Sequence, residues 1–183
     1  IAFGGILKTG AAVVPVMPLL QAQEVRYILQ DCRPKVVLTT ETLATKVEKA
    51  AEEVQVPPQI YTLDESDSSR SLRQTVERAS SVAPGTEVNE DDEAALLYTA
   101  GTTGNPKGVM LTHKNLYSNA KAAANTAKIL QAKEGRVALG ILPFSHAFGF
   151  TMMNVALMLG DKNVLLPYFD PVKVLEAIET YKV

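Results

Sequence analysis

Short apolar or β-branched runs alternate with segments of helical spacing along the whole chain, and no other feature restricts the fold as much. Residues 11–16, 35–39, 60–63, 94–98, 137–142 and 163–166 read as strands. Between them, residues 24–32 place Val25, Ile28, Leu29 and Cys32 on one helical face, and residues 42–54 stack Leu43, Val47, Ala50 and Val54. Residues 71–79 are expected to form a helix with Leu72, Val76 and Ala79 inward. After residue 111 a helix with Thr112 as its N-cap carries Leu116, Ala120, Ala123, Ala127 and Leu130 on one stripe. Residues 148–159 read as a buried helix, and residues 171–181 as a final helix that opens on Pro171. The expectation is an α/β fold: a mainly parallel, doubly wound sheet with helices on both faces.

The 183 residues are 46% hydrophobic and 21% charged, enough apolar content for one domain with its own core. Residues 80–93 are rich in Ser, Pro, Gly and acids and read as a surface connection or subdomain boundary. The formal net charge is −2, and no basic block offers a nucleic-acid surface. The lone Cys32 makes no internal disulfide and fits a reducing, cytoplasmic setting as a small buried hydrophobe. The apolar stretch 1–18 is broken by Lys8, Gly10 and Pro15, and residues 148–159 are too short to span a bilayer. No transmembrane segment is expected; peripheral membrane contact and oligomerisation are left open. Residues 1–7 resemble the end of a helix stopped by Gly10, and the chain starts at Ile1, so a chain cut from a longer protein is expected.

One strand of this alternation, residues 94–98, runs directly into Thr99-Ala100-Gly101-Thr102-Thr103-Gly104-Asn105-Pro106-Lys107-Gly108. In parallel α/β folds ligands collect at such carboxyl ends of strands. Glycines at 101, 104 and 108 permit consecutive N–H groups to converge on one anion. Thr99, Thr102 and Thr103 add hydroxyl donors, and Lys107 adds a mobile cation. Phosphate oxygens require this mixture, since charge-assisted hydrogen bonds each contribute about 1.5–3 kcal/mol. The loop is not a Walker A sequence: Pro106 precedes the lysine and Gly108 follows it. A plain turn between strands would need neither three threonine hydroxyls nor the lysine.

The stretch from Leu97 to Val109 closely resembles the AMP-binding signature of the adenylate-forming superfamily, which includes acyl-CoA synthetases, luciferases and peptide-synthetase adenylation domains. Ala100 departs from the serine usual there, removing one hydroxyl. Leu7-Lys8-Thr9-Gly10-Ala11-Ala12-Val13-Val14-Pro15-Val16 resembles an earlier motif of the family, and Pro143-Phe144-Ser145-His146-Ala147-Phe148-Gly149 a later one at the acyl pocket. The resemblance covers nearly the whole chain, is nearest to long-chain fatty acid–CoA ligases, and implies that residues 1–183 are part of the AMP-binding N-terminal domain, the C-terminal domain being absent.

It also implies roles. Thr99, Gly101, Thr102, Thr103, Gly104 and Lys107 would bind ATP phosphates. His146, Phe148 and Gly149 would border the carboxylate and acyl pocket, with His146 positioning rather than acting as a general base. A histidine in that place favours an acid without an α-amino group. Phe148, Phe150, Met152, Met153, Val155, Leu157 and Met158 are read first as core, with methionines suited to an irregular apolar ligand. His113 falls in the first helical turn after the loop and is assigned no chemistry; Asp31, Asp64, Glu65 and Asp67 are read as solvated surface.

The implied reaction uses ATP, Mg²⁺ and coenzyme A. The sequence contains no Tyr-Gly-x-Thr-Glu stretch for Mg²⁺ and no Tyr-x-x-Gly-Asp stretch for the ribose. No catalytic residue and no metal ligand are therefore assigned within the chain, and the chain by itself is expected to be inactive. The alternatives are an aryl-CoA ligase, a luciferase-like adenylating enzyme, a non-catalytic nucleotide-binding module, or a structural segment that binds nothing.

Overall fold

The computed structural model describes residues 1–64, 70–99, 105–129 and 136–183. The elements run α1 (Ala2–Lys8), α2 (Ala22–Cys32), β1 (Val36–Thr39), α3 (Glu41–Ala51), β2 (Gln59–Thr62) and α4 (Leu72–Glu77). They continue with β3 (Glu93–Thr99), β4 (Lys107–Thr112), α5 (His113–Ile129), β5 (Val137–Gly140), α6 (Ala147–Leu159), β6 (Lys162–Leu165) and α7 (Pro171–Tyr181). The fold is α/β, as the alternation predicts. The described strands join in three pairs, β1–β2, β3–β4 and β5–β6. The first and last of these are parallel, with Val37 opposite Ile60 and Leu139 opposite Val164. The chain divides into two compact units: Val16–Gly85 with Ala100–Gly108, and Ile1–Pro15, Thr86–Thr99 and Val109–Val183.

In the first of these units, α2 begins with a capping box. The Gln21 side chain accepts from the backbone three residues on, and the Glu24 carboxylate accepts the Gln21 N–H at 2.8 Å. The helix ends at Arg33 in the left-handed region, φ 44°, just before Pro34. Val25 and Leu29 bury against Ala50 and Ala51 of α3, ringed by Leu20, Val37, Val54 and Ile60. Cys32, expected to be buried, is half-buried, since it is the last residue of α2 before exposed Arg33. The Arg26 guanidinium pairs with Glu53, and Arg70 reaches Glu48 and, at 3.9 Å, Glu41. Asp64, read as solvated surface, instead accepts the Glu41 N–H at 2.6 Å and satisfies a first-turn donor of α3.

The helix expected over 71–79 is shorter, and its inward face is not formed. Val76 is 60% exposed and Ala79 is exposed as well. Only the Ser71 side, bridged to buried Thr62, packs against the unit. Two turns with one attached end give little apolar burial to extend the helix.

In the other unit, the strand expected over 11–16 contracts to a single parallel bridge between Val13 and Ala95. The Val13 N–H donates to Ala94, and its carbonyl accepts from Leu96, both at 2.9 Å. Pro15, two residues on, has no N–H with which to continue a ladder. Thr112 caps α5 as predicted. Its Oγ1 accepts the Asn115 N–H at 3.2 Å, while the Asn115 side chain accepts the Thr112 N–H at 3.0 Å. The next two first-turn donors, His113 and Lys114, bond the carbonyls of Asp92 and Glu90. The Lys114 ammonium also meets the Glu90 carboxylate at 2.7 Å, and that partner, with Asp91 nearby, holds its pKa above the ordinary lysine range. Of the predicted α5 stripe, Ala120 is buried against Val155 of α6 with Ala123 and Leu159 packed around them, and Ala124, outside that stripe, is buried in the same cluster. The Ala127 side chain and Leu130 lie outside the described residues.

A separate cluster joins Ala95 and Leu97 of β3 to Phe150 of α6, with Phe3, Leu111, Leu116 and Met153 around it. Phe3 and Phe150 meet edge to face, ring centres 5.1 Å apart. Helix α6, read from sequence as a buried helix, is buried on one side only. Gly149, Phe150, Val155 and Ala156 are inside, whereas Phe148, Met152, Leu157 and Met158 are exposed. Its composition is apolar on every face, so periodicity could not say which side packs. Helix α7 opens on Asp170, whose carboxylate accepts from Val172 and Lys173, and Val172, Leu175, Ile178 and Tyr181 are exposed along it.

The starts of β5 and β6 are locked by one ion pair. Asp161, its side chain 3% exposed, accepts from the Arg136 backbone at 3.1 Å and from its guanidinium at 3.0 Å. Because the Arg136 side chain is partly solvated, the loss on breaking the pair falls below that of a fully buried one. Asp161→Ala is expected to lower unfolding free energy by about 1–3 kcal/mol, read from denaturant midpoints. An unchanged midpoint would mean the pair contributes nothing to the register of β5 against β6.

Candidate functional site

The phosphate loop expected from sequence is described only at its two ends. Thr99 closes β3 and is exposed, and Lys107 opens β4 and is exposed. Asn105 is exposed and Pro106 half-buried. The other expected phosphate residues, Gly101, Thr102, Thr103 and Gly104, lie outside the described residues, as do Glu65 and Asp67. A lysine on the first residue of a strand has its backbone held by the ladder and its side chain in water. That arrangement suits a cation that must reach a polyanion without being buried.

The residues of the expected acid pocket are brought together by a strand–turn–helix joint. β5 ends at Gly140, and the chain turns through Leu142 and Pro143. The Pro143 carbonyl accepts the His146 N–H at 3.0 Å, closing the turn. His146, in an extended conformation at φ −101°, is the N-cap of α6. Its carbonyl accepts the Phe150 N–H at 2.9 Å, and its ring Nδ1 accepts the Phe148 N–H at 3.3 Å. The Phe148 N–H, an otherwise unpaired first-turn donor of α6, is thus satisfied by the His146 ring, while the Phe150 bond is the first regular bond of the helix.

Gly149 explains how closely the helix approaches the turn. A Cβ at this position would stand 2.3 Å from the Pro143 carbonyl oxygen and 2.9 Å from that of Leu142. No side chain fits there. The buried glycine places its neighbours to opposite effect: Phe150 is 2% exposed in the core, while Phe148 is 58% exposed beside His146. The Asn154 amide bonds back to the Phe150 carbonyl at 2.9 Å and is thereby satisfied within α6. His146 and Phe148 are therefore set by backbone contacts, with solvent-facing rings above a rigid base.

Sequence reasoning placed His146, Phe148 and Gly149 in one motif but missed that His146 caps the helix and that Gly149 is a steric requirement. A polar residue immediately before an apolar helical run was the available signal for the cap. His113, given no chemistry, begins α5 with its Nε2 buried and without a hydrogen-bond partner among the described residues. Among the described residues, no group of three or more His, Cys, Asp or Glu side chains could hold a metal ion. No helix of the described residues is long and apolar enough to cross a membrane.

The AMP-binding enzyme family matches residues 1–183, the full length of the chain. The chain belongs to the AMP-binding enzyme family. This AMP-binding chain is 32% identical to a long-chain-fatty-acid–CoA ligase of Bacillus subtilis (strain 168), covering all of itself and 37% of that protein. It is 34% identical to the 4-coumarate–CoA ligase-like 9 protein of Arabidopsis thaliana, over 97% of itself and 31% of that relative. Among solved structures, the inhibitor-bound N-terminal domain of FACL13 from Mycobacterium tuberculosis superposes with a TM-score of 0.84 at 32% identity. That comparison covers 99% of the AMP-binding chain and 44% of the solved domain. ATP-bound MatB from Rhodopseudomonas palustris superposes with a TM-score of 0.80 at 28% identity. The chain thus spans about a third of the length of the curated relatives it matches.

Proposed function

We propose that this chain is part of an ATP-dependent acid–thiol ligase that activates a fatty acid. In the first step a carboxylate oxygen attacks the α-phosphorus of ATP, forming an acyl-adenylate as the bond to pyrophosphate breaks. In the second, the thiolate of coenzyme A attacks the acyl carbon and AMP leaves with the bonding electrons. The observation that carries this reading is the family match over residues 1–183, which includes the whole Thr99–Gly108 loop. Lys107 is assigned to the β- and γ-phosphates, where preorganised positive charge steadies the departing pyrophosphate. Thr99, Gly101, Thr102, Thr103 and Gly104 are assigned as its partners through hydroxyl and backbone N–H donors. Mg²⁺ would supply further neutralisation of phosphate charge, and no residue of this chain is assigned to it.

His146, Phe148 and Gly149 are assigned to the acid side. Exposed Phe148, Met152 and Met158 on α6 offer an aromatic and two flexible thioethers to an acyl chain. A second reading, an aryl acid such as 4-coumarate, is favoured by the similarity to 4-coumarate–CoA ligase-like proteins. Measuring AMP release by the full-length enzyme with ATP, coenzyme A and laurate, palmitate or 4-coumarate separates the two. The fatty reading requires kcat/KM for a fatty acid at least tenfold above that for 4-coumarate. The opposite ranking assigns an aryl-CoA ligase.

The chain by itself is expected to catalyse no ATP–pyrophosphate exchange, because its sequence holds neither the Mg²⁺ nor the ribose motif of the family. Exchange above the protein-free rate, surviving purification to constant specific activity, would sink that expectation.

A further inference from the structure

Ligands of parallel α/β folds collect at the carboxyl ends of the strands, and β5 and β6 end side by side. Gly140, the last residue of β5, lies opposite Leu165, the last of β6, and the Leu166 N–H donates to the Gly140 carbonyl at 3.0 Å. Residues in register on neighbouring strands point to the same face of the sheet. Gly140 has no side chain to send there, and Leu165 fills the gap: its Cδ2 stands 2.6 Å from where a Cβ at position 140 would be. The leucine is nevertheless 54% exposed, whereas Val164, turned to the other face, is half-buried. An apolar side chain thus lies across both strand ends with its outer surface open. From Gly140 the chain runs into the turn on which His146 and Gly149 rest. Only Ile141 and Leu142 separate Gly140 from Pro143, so their Cα atoms are no more than about 11 Å apart. Leu165 therefore stands beside the assigned acid site, although a whole helix, α6, intervenes in the sequence.

We propose that Leu165, seated on Gly140, is a specificity-determining wall of the acid site: its side chain limits the room for the apolar part of the acid beside the β5–α6 turn. This rests on the acid-activating reading above and adds the residue that measures the acid and the residue that seats it. Hydrophobic walls discriminate by volume, by about tenfold or more for a methylene gained or lost. The two glycines of this region act differently. At Gly149 the obstructing atoms are backbone, whereas at Gly140 the nearest is the end of a flexible side chain, which can swing aside. A methyl group at position 140 therefore lifts Leu165 into the acid's path and leaves the strands where they are.

The test measures AMP release by the full-length enzyme with palmitate and with laurate. Leu165→Ala is expected to raise the ratio of kcat/KM for palmitate over laurate about tenfold, and Leu165→Phe to lower it by a similar factor. KM for ATP should stay within about twofold in both. Gly140→Ala is expected to lower the ratio through the lifted leucine, and to change it by no more than about twofold once residue 165 is alanine. A ratio unmoved by both Leu165 substitutions, in variants whose Tm lies within about 4 °C of the parent, places Leu165 outside the site and overturns the proposal. So does a Gly140→Ala effect equally large in either background, since it does not act through Leu165. AMP release that ignores added acid defeats the functional reading and the wall with it; acid-dependent release with an unmoved ratio defeats the wall alone. If 4-coumarate is the preferred acid, the fatty reading falls, and the same variants are read with 4-coumarate against its ring-dimethoxylated analogue. Leu165→Ala must then favour the bulkier acid, and an unmoved ratio again overturns the proposal.

Discussion

Lys107→Ala in the full-length enzyme is expected to slow acyl-adenylate formation about a hundredfold while leaving thioester formation from supplied acyl-adenylate within about twofold. The asymmetry follows from where charge develops. In the first step pyrophosphate departs with its negative charge increasing, and a cation aimed at its oxygens is worth more in the transition state than in the ground state. In the second step pyrophosphate is gone, and the lysine has nothing to steady. Lys107 is exposed at the first residue of β4, so its removal leaves no cavity and no unpaired buried group, and Tm is expected to stay within about 1 °C. Lys107→Arg keeps the charge but replaces a compact ammonium with a planar fork, and partial recovery is expected. Single-turnover measurement of each half-reaction is the check. Equal slowing of both halves would remove Lys107 from the phosphate site and point to a general effect on the loop.

The largest structural effect is expected at Gly149. An alanine there would place Cβ 2.3 Å from the Pro143 carbonyl oxygen, and because the obstructing atoms are backbone, either α6 or the 142–143 turn must move. Overpacking of this kind costs about 1–3 kcal/mol, with a contact this short at the upper end. Alanine recovers up to about 1 kcal/mol through its better helix propensity. The strain wins, for a net loss of about 2 kcal/mol and a Tm lower by about 4–8 °C. The displacement should also release the turn bond from His146 to Pro143, so KM for the acid should rise while KM for ATP holds. Gly149→Val, larger and β-branched, should be worse on both counts. An alanine variant as stable as the parent would show that α6 does not rest on the carbonyls of Leu142 and Pro143.

Features carried by local chemistry were legible. Pro171 announced α7, Thr112 announced α5, and the periodicity of Val25, Ile28 and Leu29 announced the buried face of α2. Each depends on contacts within a few residues. What failed depends on partners distant in sequence. Residues 11–16 look like a strand, yet only Val13 finds a bridging partner, Ala95. Asp64 looks like solvated surface, yet it closes the first turn of α3, 23 residues away.

By itself, then, the sequence determined the α/β alternation, the helix starts and the residue types that the 99–108 loop offers, because propensity, capping and residue type act locally. Tertiary structure alone decided that α6 packs with Phe150 in and Phe148 out, that no Cβ fits at position 149, and that His146 has one nitrogen already engaged. An apolar helix has no intrinsic inner face, and a glycine or histidine code reads the same in any surroundings. Only the neighbouring backbone settles which side is buried, which atom is crowded and which nitrogen is engaged.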